Sequence, residues 1–142
     1  MPDFEVSVSD LRASGPIVQA FVGPSREIIA TFGVDSVAAP IAISALIDTG
    51  AASTVITPDT ASLLRLRTVG VTRVHTPTTL DPVLCRQFHV NIYFSRDFAV
   101  EDILAIEAPL TAQPIQCLIG RDVLSRGVFT YSGVENLFRL TF

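Results

Sequence analysis

Charge is scarce along this chain: 17% of its 142 residues are charged, 10 basic against 14 acidic, for a net charge of −4. No cluster of Lys or Arg is present that could neutralise a row of phosphates, which argues against a nucleic-acid partner. Long apolar runs are missing too. Ile41 to Ile47, interrupted by Ser44, falls far short of the ~20 residues that cross a bilayer, so no membrane span is expected. Met1 to Arg12 carries Asp3, Glu5 and Asp10 where a secretory signal would carry positive charge and then an apolar stretch. A soluble, cytoplasmic protein is the reading that follows. Cysteine is limited to Cys85 and Cys117, in separate segments and without CxxC or Cys/His spacing, which gives neither a disulfide framework nor a zinc site. Both are expected as reduced thiols, with Cys117 a small buried hydrophobe beside Leu118 and Ile119.

What the chain does have is apolar residues, 49% of the total, in a length suited to one hydrophobic core. Residues 1–142 therefore read as a single domain, with 1–16 as an extended amino-terminal arm. Short β-rich segments separated by turn residues favour an all-β barrel or sandwich with helix as the minority element. Ile17 to Val22 reads as a strand ended by Gly23-Pro24-Ser25, and Glu27 to Phe32 as a second one ended by Gly33. Gly33 to Pro40 reads as a surface loop. Ile41 to Ile47 has the look of a strand buried on both sides, and Val55-Ile56 continues extended after the turn that follows.

Thr57 offers a helix cap, Pro58 suits the first helical position, and Asp59 suits the positive helix end, so a helix is expected over Pro58 to Leu66 with Leu63 and Leu66 inward. Val71 to His75 and Leu84 to Phe94 form the arms of a hairpin with a long polar tip. Ile103 to Ile106 and Ile115 to Ile119 read as further strands, and Arg121 to Arg126 as a short helix ended by Gly127. Val128 to Tyr131 and Leu137 to Phe142 make a closing hairpin, with Phe138, Leu140 and Phe142 on one face.

Two motifs stand out. Asp48-Thr49-Gly50 ends the apolar strand and delivers a carboxylate at its mouth, although a solvated turn would explain Asp48 without chemistry. About seventy residues later comes Cys117-Leu118-Ile119-Gly120-Arg121-Asp122-Val123-Leu124: two apolar residues, a glycine, a charged pair and an apolar pair. In this order, with a hairpin between them, the motifs resemble the retropepsin-type aspartic proteases. The likeness covers Ile17 to Phe142 and is closest to bacterial single-domain members.

The resemblance implies a closed acid-protease β-barrel with one or two short helices and a flap hairpin over the cleft. It also implies an aspartic endopeptidase acting on peptide or protein substrates, with no metal and no cofactor. Its catalytic motif would be Asp48, Thr49 and Gly50, with Thr49 bonding across a dimer and Gly50 admitting substrate backbone. Ala51, Ala52 and Ser53 would lie against substrate, as would His75, Thr76, Pro77 and Thr78 at the flap. Read on its own, His75 is a surface-strand histidine, and His89 is structural or exposed. Ile119, Gly120, Arg121 and Asp122 would form the junction that packs beside the aspartate. Many viral members carry a second acidic residue at the position of Ala52, where it contacts this arginine; Arg121 lacks that partner. Asp122 reads equally well as a helix cap.

The chemistry needs two carboxylates that share a proton, one acting as base toward water and the other polarising the scissile carbonyl. One Asp-Thr-Gly and no Asp-Ser-Gly occur, so the second carboxylate must come from an identical subunit across a two-fold axis. Such a dyad titrates as a coupled pair and is most active, singly protonated, at mildly acidic pH. The rival reading is a non-catalytic dimerisation or peptide-binding module on the same fold.

Overall fold

The computed structural model describes residues 1–33, 38–75, 80–111 and 114–142. Strands dominate. The order is β1 (Asp3–Ser7), α1 (Leu11–Ser14), β2 (Ile17–Pro24), α2 (Arg26–Phe32), β3 (Ile41–Ile47), β4 (Val55–Ile56), α3 (Pro58–Leu63), β5 (Gly70–Val74) and β6 (Val83–Ser95), followed by β7 (Phe98–Glu107), β8 (Cys117–Ile119), α4 (Arg121–Leu124), β9 (Val128–Ser132) and β10 (Leu137–Thr141). Six strands in the order β2-β3-β8-β4-β7-β6 close on themselves through a β2–β6 pairing, and β5 hangs from β6 as the arm of a hairpin. The ring is the expected closed barrel. β6 makes both possible: its start pairs with β5 (Val74↔Val83 to Gly70↔Gln87), and its later half pairs with β2 and β7.

Alternation along the strands fills the ring. Phe88, Val90 and Ile92 of β6, Ile43, Ala45 and Ile47 of β3, and Val18, Ala20 and Val22 of β2 are all buried in one core. A side chain of this kind contributes roughly 1.5–3 kcal/mol when removed from water. β3 was expected to be buried on both sides, but only that one face is; Ala42 is exposed, and Ser44 and Leu46 are half-buried. Small residues such as Ala42 and Ser44 look apolar enough for a central strand, yet in a closed barrel the second face points outward.

The segment expected as a strand over Glu27 to Phe32 is the helix α2. Ser25 caps it by accepting from the Ile28 N–H at 3.4 Å, and Gly33, at φ 82°, ends it by donating its N–H to the Ile29 carbonyl at 2.8 Å. The branched pair Ile28-Ile29 suggested β structure, but a serine cap followed by Glu27 in the first turn outweighs that weak preference. α3 begins as expected, with the Thr57 hydroxyl accepting from the Thr60 N–H at 3.4 Å. It stops three residues early. Leu63 is 67% exposed, and Leu64, at 1%, is the inward leucine; Leu66 is half-buried against the core. The Gly33–Pro40 loop lies partly outside the described residues.

A second sheet, β1-β10-β9, packs on the barrel. β10 lies in its middle, bonded on both sides to strands of its own chain, with Phe138 and Leu140 fully buried and Phe142 half-buried beside them. Four rings join this sheet to the β6–β7 end of the barrel: Phe4 lies 5.6 Å from Phe94 and 5.9 Å from Phe98, and Phe142 lies 5.3 and 5.1 Å from the same two. Offset contacts at these separations add to the area they bury. Cys85 and Cys117 are both free and buried, and burial pushes the Cys117 thiol well above its ordinary range, with Asp122 adding to the shift. No helix among the described residues is long and apolar enough to cross a membrane.

Candidate active site

β3 runs parallel to β8 in the register Ala45↔Cys117, Leu46↔Leu118, Ile47↔Ile119, and β4 pairs with the other side of β8. The two sequence motifs therefore leave the barrel side by side, although they are 72 residues apart at Thr49 and Arg121. Asp48 is half-buried, and its N–H donates to the Ile119 carbonyl at 2.9 Å. Its Oδ1 accepts from the Gly50 N–H at 2.8 Å, and the Ala51 N–H donates back to the Asp48 carbonyl at 3.2 Å. The loop thus closes on its own carboxylate. A Cβ on Gly50 would sit 3.1 Å from Asp48 Oδ1, so any larger residue crowds the oxygen that the turn holds in place.

The second motif clamps the first from beneath. Arg121 donates from Nη1 to the Thr49 carbonyl at 2.7 Å and from its main-chain N–H to the Ala51 carbonyl at 2.8 Å. Arg121 therefore has a partner despite Ala52: the backbone of the aspartate loop. Asp122 is no simple cap. Its Oδ2 accepts from the Thr54 N–H at 2.9 Å, and its Oδ1 accepts from the Thr54 hydroxyl at 2.8 Å and the Val123 N–H at 2.9 Å. The same Thr54 hydroxyl accepts from the Gly120 N–H at 3.2 Å, with Thr54 entirely buried. Thr54 was not singled out in the sequence, since a threonine after Ala-Ala-Ser carries no signal of its own; only the Gly120-Arg121-Asp122 junction packed against it reveals its role.

Thr54→Val removes the hydroxyl and keeps the shape. It leaves the Gly120 N–H without its partner, at about 1–3 kcal/mol for an unmet buried group, and takes one of two donors from Asp122 Oδ1, which keeps the Val123 N–H. Urea unfolding should show a lower midpoint at unchanged slope, and a change within about 0.5 kcal/mol would count against this network as a clamp.

Beside the loop runs a groove of about 410 Å³, lined by Gly50, Ala51, Ala52, Ser53, Val55, Thr72, Arg73, Val74, His75, Ile106 and Arg121. Of the sequence-predicted contact residues it gathers Ala51, Ala52, Ser53 and His75; the last is exposed at the end of β5. Asp48 and Thr49 are not among its lining residues. Thr76, Pro77 and Thr78 lie outside the described residues. Thr72, Val74 and Ile106 were not anticipated; their place in the groove follows from β5 and β7 flanking the loop, which needs the pairing of both strands to be known. Among the described residues no group of three His, Cys, Asp or Glu side chains is close enough to hold a metal.

Comparison with known proteins bears on the same segment. No curated protein matches the sequence. Among solved structures, a retropepsin-like aspartic protease from Rickettsia conorii is similar at a TM-score of 0.60 and 17% identity, covering 99% of this chain and 93% of that one. The retroviral protease-like domain of Ddi1 from Leishmania major is similar at a TM-score of 0.46 and 13% identity, covering 89% and 94%. The family model for aspartyl proteases matches residues 33–123, a span holding both the Asp48 loop and the Gly120-Arg121 junction that clamps it. With that match and a retropepsin-like barrel around it, this chain belongs to the aspartyl protease family.

Proposed function

We propose that the protein is an aspartic endopeptidase assembled from two identical chains, with one Asp48 from each activating a water for direct attack on a peptide bond. The observation that carries this reading is the build of the Asp48 loop. A carboxylate is fixed by the Gly50 N–H, and its backbone is pinned by Ile119 and Arg121 beside a groove. The Gly50 bond alone would suit any aspartate turn; it is the added pinning of the loop by Ile119 and Arg121 that favours a carboxylate positioned for proton transfer. One carboxylate cannot both take a proton from water and donate one to the scissile carbonyl, and the sequence holds no second motif. A second copy related by a two-fold axis supplies it, with the Thr49 side chains, exposed on each loop, close to that axis.

In the shared site the ionised aspartate would accept a proton from water as the oxygen bonds to the carbonyl carbon. The protonated aspartate would hold the developing oxyanion, and collapse of the intermediate would send a proton to the leaving amine. Gly50 to Ser53 on one side and the β5–β6 flap on the other would grip the peptide, with His75, Thr76, Pro77 and Thr78 at the flap. Because β10 is already paired on both edges, dimer contacts would use the Thr49 loops and the edges of β1 and β9 that are unpaired among the described residues.

One observation favours the non-catalytic module instead: Ala52 brings no acid to the groove, and Arg121 is occupied within its own chain. Cleavage of a mixed peptide library between about pH 4 and 7, with the oligomeric state checked in parallel, separates the two. Cutting by the wild type and none by a dimeric Asp48→Asn supports the protease; two inert dimers support the module.

A further inference from the structure

A second pocket, of about 220 Å³, lies where α2, the end of α3 and β6 meet, lined by Phe32, Leu64, Arg65, Leu66, Arg67 and His89 among others, none shared with the Asp48 groove. Every ionisable residue lining it is of the basic type, and no Asp or Glu lines it among the described residues. That is unusual in a chain of net charge −4. Arg67 is held with its guanidinium 3.8 Å from the centre of the Phe32 ring, which fixes its direction without consuming its donors. Among the described residues, neither Arg65 nor Arg67 takes part in a salt bridge.

Arg65 occupies a position that its residue type does not favour. The Arg65 N–H donates to the Ser62 carbonyl at 3.0 Å and the Leu66 N–H to the Ala61 carbonyl at 3.1 Å, the paired bonds of a helix-ending turn whose left-handed residue is usually glycine. Here that residue is Arg65, at φ 51°. Nothing in ending α3 requires a guanidinium there, and glycine would hold the same conformation with less strain.

His89 contributes the third group. Its Nδ1 is buried without a partner among the described residues, whereas Nε2 is not shut off. Nδ1 goes unpaired there, so Nε2 is the ring nitrogen left to meet a ligand. Two arginines and a histidine lining one small cavity suit a tetrahedral anion with three free oxygens better than a carboxylate with two. We propose that this pocket binds a small phosphate-type oxyanion, either inorganic phosphate or the head of a phosphate monoester.

The test is calorimetric titration of the full chain, at fixed ionic strength and in phosphate-free buffer, with potassium phosphate, methyl phosphate and potassium acetate in turn. Saturable phosphate binding is expected, with a shift of the His89 ring signals in NMR. Methyl phosphate binding as well as phosphate would assign the site to monoester heads, and phosphate alone to the free ion. Arg67→Gln and Arg65→Gly should each weaken phosphate binding by about tenfold or more, the effect of losing a charged hydrogen bond. Arg65→Gly also separates binding from folding, because glycine relieves the left-handed position and its thermal midpoint should hold or rise. Absence of saturable phosphate binding, equal affinity for acetate, or undiminished binding in Arg65→Gly would overturn the site and leave the arginines as neighbours of two helix ends.

Discussion

Equal amounts of wild-type and Asp48→Asn chains, unfolded together and allowed to pair at random, should retain about one quarter of the wild-type cleavage rate, because one dimer in four carries two aspartates. A site complete within one chain would retain half. The mixture therefore reports whether the carboxylate is shared, which loss of activity in the variant alone does not. The pure Asp48→Asn protein should lose about 10²- to 10⁴-fold, the range over which positioned acid–base groups act. The substitution keeps the size and one acceptor oxygen, so Oδ1 can still receive the Gly50 N–H. Sedimentation of the variant should accordingly show the same dimer. A linear fall of activity with the fraction of variant chain would refute the two-chain site.

Gly120→Ala should be the most damaging single methyl in the site. A Cβ there would lie 2.6 Å from the Ser53 carbonyl carbon, 2.7 Å from its oxygen and 2.9 Å from the Thr54 nitrogen. All three are backbone atoms and cannot swing aside, so the β8–α4 junction must move away from residues 53 and 54. That movement pulls the Gly120 N–H and the Asp122 carboxylate from Thr54, and the Arg121 N–H from the Ala51 carbonyl. Overpacking and unmet buried groups together should cost about 3–5 kcal/mol. That is a large share of the roughly 5–15 kcal/mol that holds an ordinary domain together. Gly133→Ala is the control, since the nearest atom to its Cβ is the Tyr131 ring at 3.5 Å. Equal urea midpoints for the two variants would mean that the junction is far more yielding than its geometry says.

The Asp48 loop and the junction that clamps it were legible as motifs because each is a distinctive local string: a carboxylate at a strand end, and a glycine before a charged pair at a helix start. Their adjacency was legible only through resemblance to a family, because nothing in residues 48 or 121 alone encodes a parallel β3–β8 pair. Local misreadings had local causes. α2 turned on Ser25, whose capping role is hidden next to the strand-ending Pro24. Leu63 and Leu64 are neighbours in sequence, and which faces inward depends on where α3 stops; that is set by Arg65 in a conformation few would assign to arginine. β1 was read as part of an arm because its alternating charges, Asp3 and Glu5, resemble a solvated segment. Both carboxylates in fact meet Arg139 of β10, a partner 134 residues away from Glu5.

That long separation has a kinetic consequence. Among the described residues β1 pairs with no strand except β10, so residues 3–7 wait for residues 137–141 to be synthesised and brought across the barrel. Pairings so distant in the chain form late and slowly, because the closure entropy of the whole intervening loop must be met before any contact rewards it. A barrel lacking its lid sheet leaves the Phe94 and Phe98 rings without Phe4 and Phe142. During that interval the nascent protein carries an aromatic face that neighbouring chains can reach, and the yield of refolding should fall as protein concentration rises.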